Sequence, residues 1–297
     1  MMSNDSAVMR REAGPAVPGG APAGGRIVDA CLYEPSLRSG LGLLQPAKDP
    51  AADSGTQVEA GRLAGVVEAM NRVGVRTTCV VLRQEVEEFL RLRAQHPGRL
   101  VGWAHYDSLQ PERGLDAVRA LCEGHAEAFV GVATAFACFG QDPRLKVFAP
   151  LYEYCVRHGL PVLLRTDGGP QAEMSPRPAA FGVLATVYPR LRLVCLRGGA
   201  VELAGTADLL ARFPNLFLAT NGGRESDGAS PGESPDLAAL VRAVGSRQIM
   251  FASEGRVVAV SADRSLEALS GVPWRHRANV SWRTAVRVFG PRLLAGC

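Results

Sequence analysis

The chain has 297 residues, 47% of them hydrophobic, with a formal net charge of +4. That length suits one large α/β domain or two small ones, with enough apolar material to bury a sizeable core. The basic residues are almost all arginine, Lys48 and Lys146 being the lysines, and no basic stripe alternates with aromatic side chains, which argues against a nucleic-acid partner.

Seven cysteines are scattered without a CxxC pair, and two of them, Cys79 and Cys195, lie inside apolar strand-like runs. There a thiol behaves as a small hydrophobe, which is reduced, cytosolic usage rather than a disulfide framework. No apolar run approaches the ~18 residues of a membrane helix, and the amino terminus has no signal-peptide core. A soluble, cytoplasmic protein with no membrane partner is expected.

Residues 1–25 end in GPAVPGGAPAGG and cannot bury apolar surface, so they are predicted to be a disordered tail, with a single domain over 26–297. Order begins with a strand at 26–33, followed by a long loop (34–55) expected over one mouth of the fold. Helical periodicity over 57–72 stops at Gly74. Strands are then predicted at 75–82, 99–107 and 128–136, with helices at 84–95 and 111–124, the latter opened by Pro111. From Pro143, apolar residues at three- and four-residue steps (Leu145, Phe148, Leu151, Tyr152, Cys155, Val156) mark a helix that His158 and Gly159 bring to an end.

Pro161-Val-Leu-Leu-Arg165 follows, too continuously apolar for a half-exposed strand. Further strands are predicted at 191–199, 215–221 and 248–255. Helices are predicted at 179–189, 201–214 and 236–244, and around 263–270 and 279–288. Trp274 and Trp282 are expected to pack the last of these. Eight buried strands alternating with helices specify a (β/α)8 barrel, and the absence of G-x-G-x-x-G after the first strand argues against a doubly wound sheet.

Charge appears abruptly at the carboxyl ends of two apolar strands, as Arg165 and Arg197. In a parallel barrel that is where active-site side chains sit. His105 and Asp107 end the third strand and Asn221 the seventh, so these are candidate site residues too.

Six segments occur in a recognisable order: Asp29-Ala-Cys-Leu-Tyr33, Gly159-Leu-Pro-Val-Leu-Leu-Arg-Thr-Asp-Gly168, Leu193-Val-Cys-Leu-Arg-Gly-Gly199, Pro214-Asn-Leu-Phe217, Ile249-Met-Phe-Ala-Ser-Glu254 and Ala285-Val-Arg-Val-Phe-Gly290. Together they resemble the amidohydrolase-related family of metal-dependent TIM-barrel hydrolases and decarboxylases, over about residues 26–290. The resemblance implies a barrel acting on small carboxylate, lactone or amide substrates, often with a divalent metal, and commonly a homodimer.

The resemblance also identifies departures. The family ends its first strand in His-x-His, where this chain has Cys31 and Tyr33. Its fifth and sixth strands end in His, where Arg165 and Arg197 stand. Its eighth ends in Ser-Asp, where Ser253-Glu254 stands. A guanidinium has no lone pair to offer a metal and stays protonated, so neither a metal centre nor another cofactor is expected.

Relatives resembling pyrone-dicarboxylate lactonases work without metal and hold substrate carboxylates with arginines. The expectation is a metal-independent enzyme for a small anionic organic acid or lactone. It would act by hydrolysis, decarboxylation or a related lyase or cyclisation step. Arg165 and Arg197 would clamp the anion, Glu254 would move protons, and Tyr33 and His105 would support it. Cys31, Asp107 and Asn221 would line the substrate site. The alternative is a catalytically inactive barrel, plugged by pairing of Glu254 with the two arginines, serving as a scaffold, subunit or ligand-binding regulator.

Overall fold

A computed structural model describes residues 26–33, 63–136, 140–165, 178–196, 203–220, 237–253 and 269–293. The tail, the 34–55 loop, and the predicted site residues Arg197, Asn221 and Glu254 lie outside the described residues. For Tyr33 the backbone alone is described.

Eight parallel strands follow one another in sequence order around a nearly closed barrel: β1 Val28–Tyr33, β2 Thr77–Leu82, β3 Leu100–Tyr106, β4 Phe129–Thr134, β5 Val162–Arg165, β6 Leu193–Leu196, β7 Leu216–Thr220 and β8 Ile249–Phe251. Between them run helices α1 Leu63–Val73, α2 Val86–Gln95, α3 Pro111–Gly124, α4 Ala149–His158, α5 Pro178–Val187, α6 Leu203–Arg212 and α7 Leu237–Val244. After β8, α8 (Trp274–Ala278) passes through a π-helical turn (Asn279–Arg283) into α9 (Thr284–Phe289) and a 3-10 turn (Gly290–Leu293).

The strands read as unbroken apolar runs because both of their faces are covered. Cys79, Val81, Val101, Trp103, Leu163, Val194, Phe217 and Met250 point into the barrel and form one cluster. Their neighbours Val80, Leu82, Leu100, Ala104, Val162, Leu164, Leu193, Leu218 and Ile249 form a second cluster beneath the helices. On α4 the predicted face is buried through Leu151, Tyr152 and Cys155, and the Tyr152 hydroxyl donates to the Pro143 carbonyl at 2.7 Å. Gly159 ends the helix at φ +62°, a left-handed conformation that favours glycine.

The amino end of the barrel is filled from below. The Thr284 hydroxyl donates to the Ser246 carbonyl (3.2 Å) and Arg287 to that of Arg247 (2.5 Å), which fastens α9 under the start of β8. Phe289 then meets Trp103 edge-on, with ring centroids 5.1 Å apart. Trp103 Nε1–H donates across the interior to the Ala30 carbonyl at 2.9 Å. Gly131 makes room for this ring, since a Cβ there would stand 2.5 Å from both Trp103 and the Pro161 carbonyl oxygen.

Two expectations about the last segment change. The helix predicted over 279–288 begins at Trp274, and Trp274, expected to pack, is 81% exposed. The buried face of this segment is Val280, Thr284, Ala285, Val288 and Phe289, and the first residue of α8 projects away from it. Trp282 is partly buried against the inner cluster, with the Arg283 guanidinium over its ring.

The seam between β1 and β8 is joined by a side chain. Asp29, fully buried, accepts the Ser253 amide at Oδ1 (2.8 Å), the Ser253 hydroxyl at Oδ2 (2.5 Å) and the Cys31 amide at Oδ1 (3.3 Å). The pairing of β1 with β2 shifts register between Asp29 and Leu32, a bulge beside that carboxylate.

Removing the carboxylate strands three buried donors, each costing about 1–3 kcal/mol. Asp29→Ala should therefore lower unfolding stability by about 3 kcal/mol or more in urea titration; a loss below about 1 kcal/mol would mean the seam does not rely on it. Phe289→Ala opens a cavity under Trp103 and should cost about 3–5 kcal/mol in the same assay.

Candidate active site

The strands deliver their carboxyl-terminal residues to one mouth of the barrel, and alternation decides which of them face inward. On β5, Leu163 belongs to the interior cluster and Arg165 follows two residues later, 5% exposed. On β3, Val101 and Trp103 point inward and His105 continues the series, 6% exposed. In the hydrogen-bonded ladder His105 lies opposite Ala133, and Ala133 opposite Leu163, so His105 sits two residues short of Arg165 across two strands. Cys31 is fully buried on β1, with its amide turned to Asp29.

His105 is the most unusual of these side chains. Both ring nitrogens are buried without a hydrogen-bond partner. Burial first, and then the neighbouring Arg83 guanidinium, hold its pKa down to about 4, against a smaller opposing pull from Asp107. The ring is therefore a neutral imidazole near neutral pH.

Asp107 is engaged rather than free. It pairs with Arg83 at 2.9 Å, and its second oxygen accepts the Leu109 amide at 3.1 Å, which ties the turn after β2 to the start of the β3–α3 loop. With Arg83 47% and Asp107 20% exposed, the pair positions more than it stabilises. The Asp107 backbone is also covered closely by α3, where a Cβ on Gly114 would fall 2.6 Å from its carbonyl oxygen.

Sequence reading passed over two participants. Arg83 carries the same signal as Arg165, a charge directly after the apolar run TTCVVL. Asp29 is a carboxylate inside an otherwise buried strand, which requires compensating donors. Of the predicted set, the described side chains are thus Arg165, His105, Asp107 and Cys31, and Arg83 and Asp29 are the two that the sequence reading passed over.

The other buried thiols are poor nucleophile candidates. Burial raises Cys79, Cys155 and Cys195 above the ordinary thiol range, with the Asp29 charge adding to the shift at Cys79. Among the described residues, no group of three His, Cys, Asp or Glu side chains converges to hold a metal ion.

The depressed His105 pKa has a sign that can be measured. The unfolded chain takes up this proton near pH 6.5 and the folded chain only near 4, so the contribution is present above 6.5 and lost as pH falls to 4. Native stability should drop by on the order of 3 kcal/mol across that window beyond the loss from other groups, and His105→Phe should lack this component in pH-dependent denaturation.

Comparison with solved structures shows the same fold at low identity. A 5-carboxyvanillate decarboxylase from Novosphingobium aromaticivorans, complexed with manganese and 4-hydroxy-3-methoxy-5-nitrobenzoic acid, superposes with a TM-score of 0.62 at 12% identity, covering 92% of this chain and 98% of that one. A 4-oxalomesaconate hydratase from Rhodopseudomonas palustris gives 0.62 at 16% identity, covering 91% and 97%. A 2,6-dihydroxybenzoate decarboxylase from Rhizobium gives 0.56 at 12%, covering 89% and 98%. No curated protein sequence matches. Residues 41–290, most of the chain and the barrel from β2 onward, match the family model described as Amidohydrolase, and the chain belongs to that family.

Proposed function

We propose that this protein is a metal-independent member of its family that acts on a small anionic organic acid or lactone, by hydrolysis, decarboxylation or a related lyase or cyclisation step. The observation that carries the reading is Arg165. It is a buried, inward-facing guanidinium at the carboxyl end of β5, where the resemblance would put a metal-binding histidine. A divalent ion does not fit such a position, because the group has no lone pair and its fixed charge repels a dication.

A guanidinium there offers a fork of N–H donors to a carboxylate, and to negative charge that builds up as the substrate reacts. Arg197 is the second arm of the clamp, Glu254 the group that moves protons, and Tyr33 a further donor. Cys31 and Asn221 line the cup, and Asp107 acts through its pair with Arg83. The structural neighbours support the substrate class, since they are decarboxylases and a hydratase of small organic acids. A homodimer is part of the proposal.

A second reading, an inactive barrel kept as a scaffold or ligand-binding regulator, draws on the same burial of Arg165, which already has partners within the chain.

A panel of small aromatic and aliphatic acids and lactones, assayed with and without a chelator, tests the proposal. Turnover should survive chelation, and Arg165→Ala should reduce kcat/KM by about 100-fold or more with the fold intact by circular dichroism. Full activity of Arg165→Ala, or activity that requires stoichiometric metal, would overturn it. Absence of any turnover across the panel favours the inactive barrel.

A further inference from the structure

We infer that the amino-terminal end of the barrel, opposite the candidate site, is a basic face that adsorbs the protein onto an anionic phospholipid surface.

The arginines gather at this end. Seven turns lead from a helix into the next strand, each three to five residues long. The eight strands are parallel, so these turns share one end of the barrel. They hold Arg76, Arg99, Arg190, Arg192 and Arg247, and Arg26 stands just ahead of β1. Against these, the turns carry a single carboxylate, Glu127. The segment that fills this end from below, residues 269–293, adds five arginines and no acidic residue. The whole chain carries a net charge of only +4, so with eleven arginines and one carboxylate at this end the remainder is net negative.

The charge is not cancelled within the protein. Among the described residues the arginines in ion pairs are Arg83, Arg91, Arg119 and Arg144, none of them from this set of eleven. Several of the eleven are held by backbone carbonyls instead. Arg99 donates to those of Arg76 (2.8 Å) and Val75 (3.2 Å), Arg277 to those of Val272 (2.7 Å) and Ser270 (2.5 Å), and Arg192 to that of Gly159. Such bonds occupy the donors and leave the positive charge in place. Like charges are neighbours here. Burial and then Arg76 pull Arg99 below its ordinary pKa, and burial and then Arg292 do the same to Arg192. Seven of the eleven, Arg76, Arg190 and Arg275 among them, are exposed.

The layout of this positive field selects the partner. Short turns send no finger out of the end, and the arginines are spread over several strand entrances rather than along one line. A nucleic acid is a rod or a thread, met by an element that enters a groove or by a charged channel lined with aromatic platforms. An anionic leaflet is planar and meets all the entrances at once, and each arginine near it adds to the attraction. Guanidinium forks also match phosphate oxygens. Trp274, exposed at the start of α8, supplies an aromatic ring of the kind that settles at headgroup level. Ser246, ahead of β8, holds α8 to this end, its hydroxyl lying 3.0 Å from His276 Nδ1. Among the described residues no helix is long and apolar enough to cross a membrane. The expectation of no membrane partner rests on the lack of such a span, whereas adsorption needs only the surface charge. Adsorbed by this end, the barrel turns the mouth that carries Arg165 and His105 toward water.

Co-sedimentation of the full chain with lipid vesicles tests the inference. Vesicles of phosphatidylcholine with about one-third phosphatidylglycerol should bind it about 100-fold more strongly than pure phosphatidylcholine in about 0.1 M salt. Raising the salt to about 0.5 M should remove most of that binding. Reversing Arg76, Arg190 and Arg275 together to Glu should weaken binding by about 100-fold or more. Reversing Arg91, Arg113 and Arg119, exposed on α2 and α3, changes the net charge equally and should leave binding within about five-fold. Tryptophan emission should shift to the blue on the mixed vesicles, and Trp274→Ala should remove the shift. Should a triple variant fail to fold by circular dichroism, the lipid preference, salt dependence and emission shift of the wild type decide.

Equal partition onto neutral and mixed vesicles, or an equal loss in both triple variants, would overturn the inference. Binding of a single-stranded or duplex oligonucleotide without partition onto the mixed vesicles would overturn it too, and would assign the face to nucleic acid.

Discussion

The constraint on which the barrel depends is the closure of its last seam. Among the described residues seven strand junctions are backbone ladders, and at the eighth the carboxylate of Asp29 reaches across to the amide and hydroxyl of Ser253. A buried carboxylate is tolerable only when donors surround it, and among the described residues three donate to it, one of them the amide of Cys31 on its own strand. The β1 register shift lies beside this contact, and the Cys31 side chain is buried in the inner cluster. Because each strand is registered against the next, fixing β1 to β8 also fixes the positions of the strand ends that carry Arg165 and His105.

Closure leaves an interior that has to be filled, and it is filled unequally. Trp103 crosses the lumen to β1 and Phe289 rises beneath it from the carboxyl-terminal helix, so the amino end is apolar and solid. Gly131 is the concession that admits the indole. Polar side chains collect toward the other end, where the strands terminate: Arg165, His105 and the Arg83–Asp107 pair. Electrostatics there is cooperative. Arg83 is half-exposed and tied to Asp107, yet close enough to His105 to help keep that ring neutral. An obligate cation and a neutral imidazole at the same end of the barrel offer two different kinds of hydrogen bond.

The sequence carried the architecture well. Continuous apolar runs of strand length alternating with helical periods specified eight strands and the helices between them. Helix 111–124 is observed over that same span, and the other described elements fall within a few residues of expectation. The charge at the end of Pro161–Arg165 likewise marked Arg165 before any coordinates. These features are local, set by side-chain spacing along one segment, so one segment suffices to read them.

What the sequence could not determine involves two segments at once. Asp29 lies 224 residues from Ser253, and only the curvature of the sheet brings them together. Arg83 and Asp107 directly follow successive strands, and their pairing depends on the register between β2 and β3. His105 reads as one strand-end histidine among several candidates. That both its nitrogens are buried and unpaired follows from what β2 and β4 place beside it. Trp274 reads as core and is solvent-exposed, because the helix that carries it begins one turn earlier than its apolar pattern. Sequence by itself determined the fold and the residues that end its strands. Tertiary structure decided which of those ends meet, which are paired and which protonation state they hold, since burial and charge are properties of neighbours that the chain order does not list.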